Sequence, residues 1–227
     1  MSLLKKKPSE HVDVPIQDLL LRITGPFELY EEARAVGMLF WEQVQSYAIR
    51  NPEFRRSKRP VEVPADAPAA VREMATLSAN AGVGPMLTFR GALTEFVGRR
   101  MAELMPEVTV SCDQDHYVVA RRRVRLGVGA GQRHAGLGII VKPELGPHGI
   151  FMDLEPGAGP GEIGDGVLVL ATSCILADAA AAAARAVLAK SSMRLALTYL
   201  KAVPGLHGAI LVRGDRIGVA GGLELAA

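Results

Sequence analysis

This chain of 227 residues is poor in the residue types that mark out specialised proteins. It has two cysteines, Cys112 and Cys174, which excludes a disulfide-rich framework. Aromatics are 5% of the chain, with one tryptophan, so the core must be mainly aliphatic. Neither charge sign dominates: 26 basic and 24 acidic residues leave a net +2, which argues against a dedicated nucleic-acid binder. The N-terminus carries charge but no following apolar run, so no secretory signal is read and a cytoplasmic, soluble protein is expected. Residues 166–190 alone are long enough to span a bilayer, but Asp178 and Arg185 interrupt them and alanine contributes little to insertion. A helix apolar all round is also simply a buried one, so no membrane partner is expected.

What the chain does have is 49% hydrophobic residues, many of them alanine, and enough length for a sizeable core. A flexible polar tail over 1–14 and one domain over 15–227 are expected, and the high apolar content over few aromatics favours a homo-oligomer. The organising stretch is GVLVLATSCILADAAAAAARAVLAK, residues 166–190. Its opening reads as a short buried strand. Ser173 is placed to cap the alanine-rich helix that follows, accepting from a first-turn amide. Asp178 is the only acid in that helix and is expected in its first turn. There it is either a dipole-stabilised helix-end acid or a ligand for a metal or polar group.

Residues 18–24 read as a strand ended by Gly25-Pro26. Residues 29–50 carry a helical stripe, with Trp41 off its centre and assigned to packing. Residues 53–68 read as a proline-rich connector whose basic cluster, Arg55, Arg56, Lys58 and Arg59, is either a solvated face or a partner surface. A second helix follows over 67–80 with Asp66 as candidate cap, and Gly82 suits its left-handed end. A third spans 88–104, where Gly91 and Gly98 share a face and point to close packing or ligand approach, since glycine costs a helix about 1 kcal/mol against alanine.

From residue 107 the period drops to two. Strands are predicted over 107–112, 117–124, 124–130 and 137–141. Arg121, Arg123 and Arg125 would then share one strand face, either solvent-facing or as a site for phosphate or carboxylate. Residues 142–165 are dense in glycine and proline and read as a loop, a substrate loop being one reading. A short helix over 193–203 and a hairpin turning at Gly214-Asp215 close the chain.

Three strings together resemble the ApbE-like superfamily: NPEF at 51–54, AGVGPM at 81–86 and ADAAAAA at 177–183. The similarity runs from about residue 18 to 225. It is to a prokaryotic branch distinct from the flavin transferases themselves. It implies an α+β fold of mixed or antiparallel sheets flanked by helices, with a central site. In the transferases magnesium helps move FMN from FAD to a protein threonine, so FAD or FMN and Mg are the implied cofactors. The resemblance makes Asp178 the metal ligand. Gly84, Met86, Cys112, Asp115, Ser173 and Cys174 become the cofactor-binding candidates. Two positions depart from the pattern. Ala182 stands where the metal-binding threonine would be, and magnesium demands oxygen ligands. Residues 112–115 read CDQD where the family has an NGGD-like turn, so Asp115 is kept and both glycines are lost. His148 is a candidate for the histidine of the family's polar loop.

Three readings follow. The first is a small-molecule pocket for a flavin or nucleotide-like ligand, with or without flavin-transferase-like activity. The second is a non-catalytic binding or assembly module on the same fold. The third is a different enzyme using acids of 142–165 or the cysteine pair. The two thiols are either inert and buried or a redox or soft-metal pair. Asp113 and Asp115 either share a cation or face water.

Overall fold

The computed structural model describes residues 11–24, 27–127, 138–154, 165–214 and 216–226. Its frame is an eight-stranded sheet, antiparallel at every pairing. In chain order the strands and helices are β1 (His11–Ile16), β2 (Leu19–Thr24), α1 (Tyr30–Arg50), α2 (Pro52–Arg56), α3 (Ala69–Asn80) and α4 (Phe89–Leu104). Next come β3 (Val108–Cys112), β4 (Asp115–Val119), β5 (Val124–Gly127), β6 (Gly138–Val141) and β7 (His148–Asp153). The chain closes with β8 (Asp165–Ala171), α5 (Cys174–Leu188), α6 (Met193–Ala202), β9 (Leu206–Arg213), β10 (Arg216–Gly221) and β11 (Glu224–Ala226). The large sheet has the order β1-β2-β3-β4-β7-β8-β9-β10, and β11-β6-β5 forms a small second sheet. This is an α+β fold, as the resemblance implies.

Three layers result. Helices cover one face of the large sheet and the small sheet packs on the other. The alternation along β8 shows it: Val167, Val169 and Ala171 face the α5 and α6 core, while Leu168 and Leu170 join Ile139, Val141, Ile150 and Ile210 between the sheets. A strand covered on both faces reads as an unbroken apolar run, which is why GVLVLA stood out in the sequence. At the other end, β1 alternates strictly: Val12, Val14 and Ile16 point inward and the residues between them are exposed.

Several expectations change. Residues 11–14 are not tail: they begin β1, whose buried valines pair it to β2. The supposed loop over 142–165 contains β7, a central strand between β4 and β8, which lacks alternation because HGIF is buried on both faces; residues 155–164 lie outside the described ones. The strand predicted over 117–124 ends at Val119, and residues 121–123 bend as the chain passes from the large sheet to the small one, so only Arg125 of the three arginines lies in a strand. The connector after Pro52 begins as the short helix α2, anchored by buried Phe54 against Tyr47. Helix α3 is preceded by Pro68, with no side-chain cap from Asp66. The hairpin of β9 and β10 and the left-handed Gly82 are as predicted.

Candidate functional site

Helix α5 is held at its start by two oxygens. Ser173 accepts from the Leu176 amide at 3.4 Å, the expected cap. Glu95 of α4, 2% exposed, accepts from the Ser173 hydroxyl at 2.6 Å and from the Ile175 amide at 3.2 Å. It also pairs with Arg99 one turn on, which reaches Glu73. A carboxylate at a helix N-terminus is favoured by the unpaired amides and the dipole. Glu95 was not among the sequence candidates. The signal was present, because it lies four residues after Gly91 and three before Gly98, on the same face of α4.

That face sits hard against its neighbours. A Cβ on Gly91 would lie 2.7 Å from the Cys174 carbonyl oxygen and 3.0 Å from Asp178 Cβ, and one on Gly98 would enter the Tyr117 ring. The Gly91 amide donates to Asp178 Oδ2 at 3.3 Å. Helix α5 begins at Cys174, so Asp178 is one turn inside it and the helix-end reading of this acid does not hold. Asp178 is 8% exposed and lines a cavity.

The cavity measures about 520 Å³, within the range of small-molecule sites. Asp178, Ala182 and Arg185 line one side of it from a single face of α5, at positions i, i+4 and i+7. Asp115, the first residue of β4, enters after the two-residue turn Asp113-Gln114, in which Asp113 takes a φ of 50°. Met86 and Leu87 come from a 3₁₀ turn over Pro85–Thr88, and Trp41 from α1. Trp41 meets Phe89 edge-on, with ring centroids 5.2 Å apart. It therefore packs, as expected, and also walls the cavity. Two arginines also line it, beside Asp18, Leu19, Gln45 and Gln114. Arg90 pairs with exposed Asp113 at 3.0 Å. Arg185 pairs with Asp153 and lies over the Phe151 ring at 4.9 Å.

Asp115 and Asp178 thus share one cavity although 63 positions separate them (178 minus 115). Asp115 is 2% exposed and its Oδ1 has no hydrogen-bond partner among the described residues. Burial, reinforced by the charge of Asp178, pushes its carboxyl well above the ordinary carboxylate range, with Arg90 opposing. Burial likewise raises Asp178, against the Gly91 amide and the two arginines. Both acids therefore favour holding a proton or meeting a cation.

The other candidates sit elsewhere. Cys112 and Cys174 are fully enclosed and neither lines the cavity. Burial, with acids nearby, pushes the Cys112 thiol up to about 12 and Cys174 well above its ordinary value. Cys174 donates to the His116 carbonyl oxygen at 3.2 Å. These thiols match the inert reading. Gly84 packs on the backbone of Ser57, and Ser173 is the cap. Met86 and Asp115 are the two cofactor candidates on the cavity wall. His148 is buried away from it, bonded through Nε2 to the Lys142 carbonyl oxygen and packed against His207. Asp113 and Asp115 part company: the first pairs in solvent with Arg90, the second is enclosed. Among the described residues no three of His, Cys, Asp and Glu gather as a metal centre, and no helix is long and apolar enough to cross a membrane.

Comparison with known proteins agrees with this architecture. The chain is 32% identical over 187 residues to a UPF0280 protein of Methanocella arvoryzae, covering 80% of this chain and 76% of that one. It is 28% identical over 222 residues to UPF0280 protein MK0206 of Methanopyrus kandleri, covering 94% and 90%. Among solved structures, the apo form of the Pseudomonas stutzeri flavinyl transferase ApbE superposes with a TM-score of 0.60 at 13% identity, over 100% of this chain and 96% of that one, a likeness of fold. A family model described as AbpE bacteria matches residues 1–201, and the chain belongs to that family.

Proposed function

We propose that the 520 Å³ cavity is a binding site for a small flavin-like or nucleotide-like molecule. The observation that carries this reading is the convergence of Asp115 and Asp178, from distant parts of the chain, on one cavity with an aromatic and aliphatic wall at Trp41, Phe89 and Met86. Apolar lining with a few placed polar groups is the usual make-up of such a site. A flat heterocycle suits the Trp41 and Phe89 side, and Arg90 and Arg185 offer cationic forks toward phosphate oxygens. The fold likeness to a flavinyl transferase supports the same ligand class.

The resemblance also implies magnesium. The oxygen donors on the cavity wall, one of them a buried carboxylate oxygen without a partner, fit such an ion. When bound it would supply charge neutralisation on phosphate oxygens.

The test is thermal unfolding with FMN, FAD, ADP or a pterin, alone and with magnesium. A ligand at 100 times its Kd stabilises by about 2.7 kcal/mol, and near 2–4 °C per kcal/mol the melting temperature should rise by roughly 5–11 °C. No rise with any of them, together with unchanged Trp41 fluorescence, would remove the reading. A second reading, binding without group transfer, is favoured by the methyl group of Ala182 on the cavity wall. It predicts that FAD incubated with the protein and magnesium releases no AMP beyond the protein-free control.

A further inference from the structure

We propose that His148 and His207 form a two-imidazole site for one transition-metal ion of the zinc, copper and nickel class. The pair lies off the 520 Å³ cavity, and the proposal does not depend on what that cavity binds.

Local structure builds the pair. His148 opens β7, and β8 lies between β7 and β9 in the large sheet. Gly149 packs against the backbone of Ser173 and Cys174. Alternation therefore turns His148 to the other face, the one on which Ile150 meets the small sheet. Between β8 and β9 the register shifts: Leu170 is opposite Gly208, but Ala171 is opposite Leu206. His207 is thus the extra residue of a β-bulge, a device that re-aims a side chain. The Gly222 amide holds the bulge by donating to the His207 carbonyl oxygen at 2.9 Å. Two rings from different strands meet as a result, with centroids 5.6 Å apart and planes at 71°.

Three features of this contact point to an ion. First, His148 is 0% exposed and its Nε2 lies 2.8 Å from the Lys142 carbonyl oxygen. A carbonyl oxygen only accepts, so Nε2 carries the proton and Nδ1 is a bare lone pair. A backbone carbonyl that fixes the tautomer in this way is the usual support of a metal-bound histidine. Second, His148 Nδ1 and His207 Nε2 are both buried and have no hydrogen-bond partner among the described residues. Unmet polar atoms are costly in an interior, and here two belong to one ring contact. Third, the spacing suits a shared ion. An imidazole at metal-bonding distance has its centroid about 3.2 Å from the ion, so two rings on one ion have centroids at most about 6.4 Å apart. Burial also holds both imidazoles below the ordinary histidine pKa, which keeps them in the neutral form that binds metal.

The donors select the metal. Neutral imidazole suits zinc, copper and nickel, whereas magnesium demands oxygen. Among the described residues no third His, Cys, Asp or Glu completes a cluster. The remaining coordination positions fall to water or a small added donor, so the site is open rather than closed. A bound ion would tie β7 to β9 across the end of β8.

The probe is Cu²⁺, whose electron paramagnetic resonance spectrum counts bound imidazole nitrogens. The full chain is titrated in glycine buffer, which competes for weak surface binding. One ion per chain with two imidazole nitrogens is expected. His148→Gln and His207→Gln should each weaken binding at least tenfold and remove a nitrogen from the spectrum. His11→Gln, on the exposed side of β1, should match the parent. Millimolar Mg²⁺ should not displace the copper. Circular dichroism without metal reports folding; if His148→Gln does not fold, His207→Gln decides the matter alone. No stoichiometric Cu²⁺ binding by the parent overturns the proposal. So does a folded His207→Gln chain that keeps the parental affinity and spectrum, or displacement of the copper by Mg²⁺. The flavin and nucleotide titrations read the cavity separately, so either reading can fail while the other stands.

Discussion

Two buried acids flank the same helix and live opposite lives. Glu95 lies in the seam between α4 and α5, and its oxygens meet a hydroxyl, an amide and a guanidinium. Asp178, one turn further along α5, is also buried, yet it meets one amide and a cavity. Asp115 across that cavity is less satisfied still. Burial alone therefore does not say whether an acid holds the fold together or is held ready for something else. The partners decide. A carboxylate with its lone pairs occupied is structural; one left short inside a cavity is stored cost, kept only where another group repays it.

The largest effect should come from breaking the satisfied side. Glu95→Ala removes the acceptor for Ile175 and Ser173 and leaves Arg99 with one acid, so unfolding in urea should show a loss of about 3 kcal/mol. Glu95→Gln, which keeps an acceptor oxygen, should lose less. Gly91→Ala comes next. Its methyl group would meet the Cys174 carbonyl oxygen at 2.7 Å, and the forced separation of α4 from α5 should cost roughly 1–3 kcal/mol. It should also weaken whatever the cavity binds, because Asp178 moves with α5.

The unsatisfied side should respond with the opposite sign. The folded-state pKa of Asp178 is raised above its unfolded value, so its favourable state is fully present below about pH 4 and is lost as pH rises through the folded value near 7. Asp178→Asn should therefore flatten the fall in parental stability between pH 4 and 7 and gain roughly 1–3 kcal/mol on the parent at pH 8. Guanidinium titrations at a series of pH values would show it, and an Asn variant less stable than the parent at pH 8 would reverse the contrast between Asp178 and Glu95. The smallest effect concerns the thiols. With Cys112 raised to about 12 and Cys174 higher than ordinary, the native chain at pH 8 should react with a thiol reagent at a small fraction of the rate of the denatured chain. A fast native thiol would return the cysteines to the candidate site.

Much of the frame was legible because it depends on local chemistry. The 166–190 stretch, the Ser173 cap, the α1 stripe and the final hairpin all follow from turn residues, capping groups and period. Strand β7 was not legible: HGIFMD has no alternation, because it is covered on both sides by partners supplied from far along the chain. Its glycine- and proline-rich neighbourhood concealed it further. The same holds for β1, whose alternation over six residues was masked by the polar residues before it.

At the site, the sequence by itself determined which acids were available and that Ala182 brings no oxygen, since those are matters of residue identity and motif. It also placed Gly91 and Gly98 on one helical face, which follows from 3.6 residues per turn. Only the tertiary structure decided that Asp115 and Asp178 share a cavity while Asp113, two residues from Asp115, turns out to solvent. It also decided that Glu95 closes α5 and that both cysteines are shut away. The reason is physical: a side chain's charge cost and hydrogen-bond partners are set by what lies within a few ångströms of it. In an antiparallel sheet with helices packed across it, those neighbours come from parts of the chain that no local pattern links.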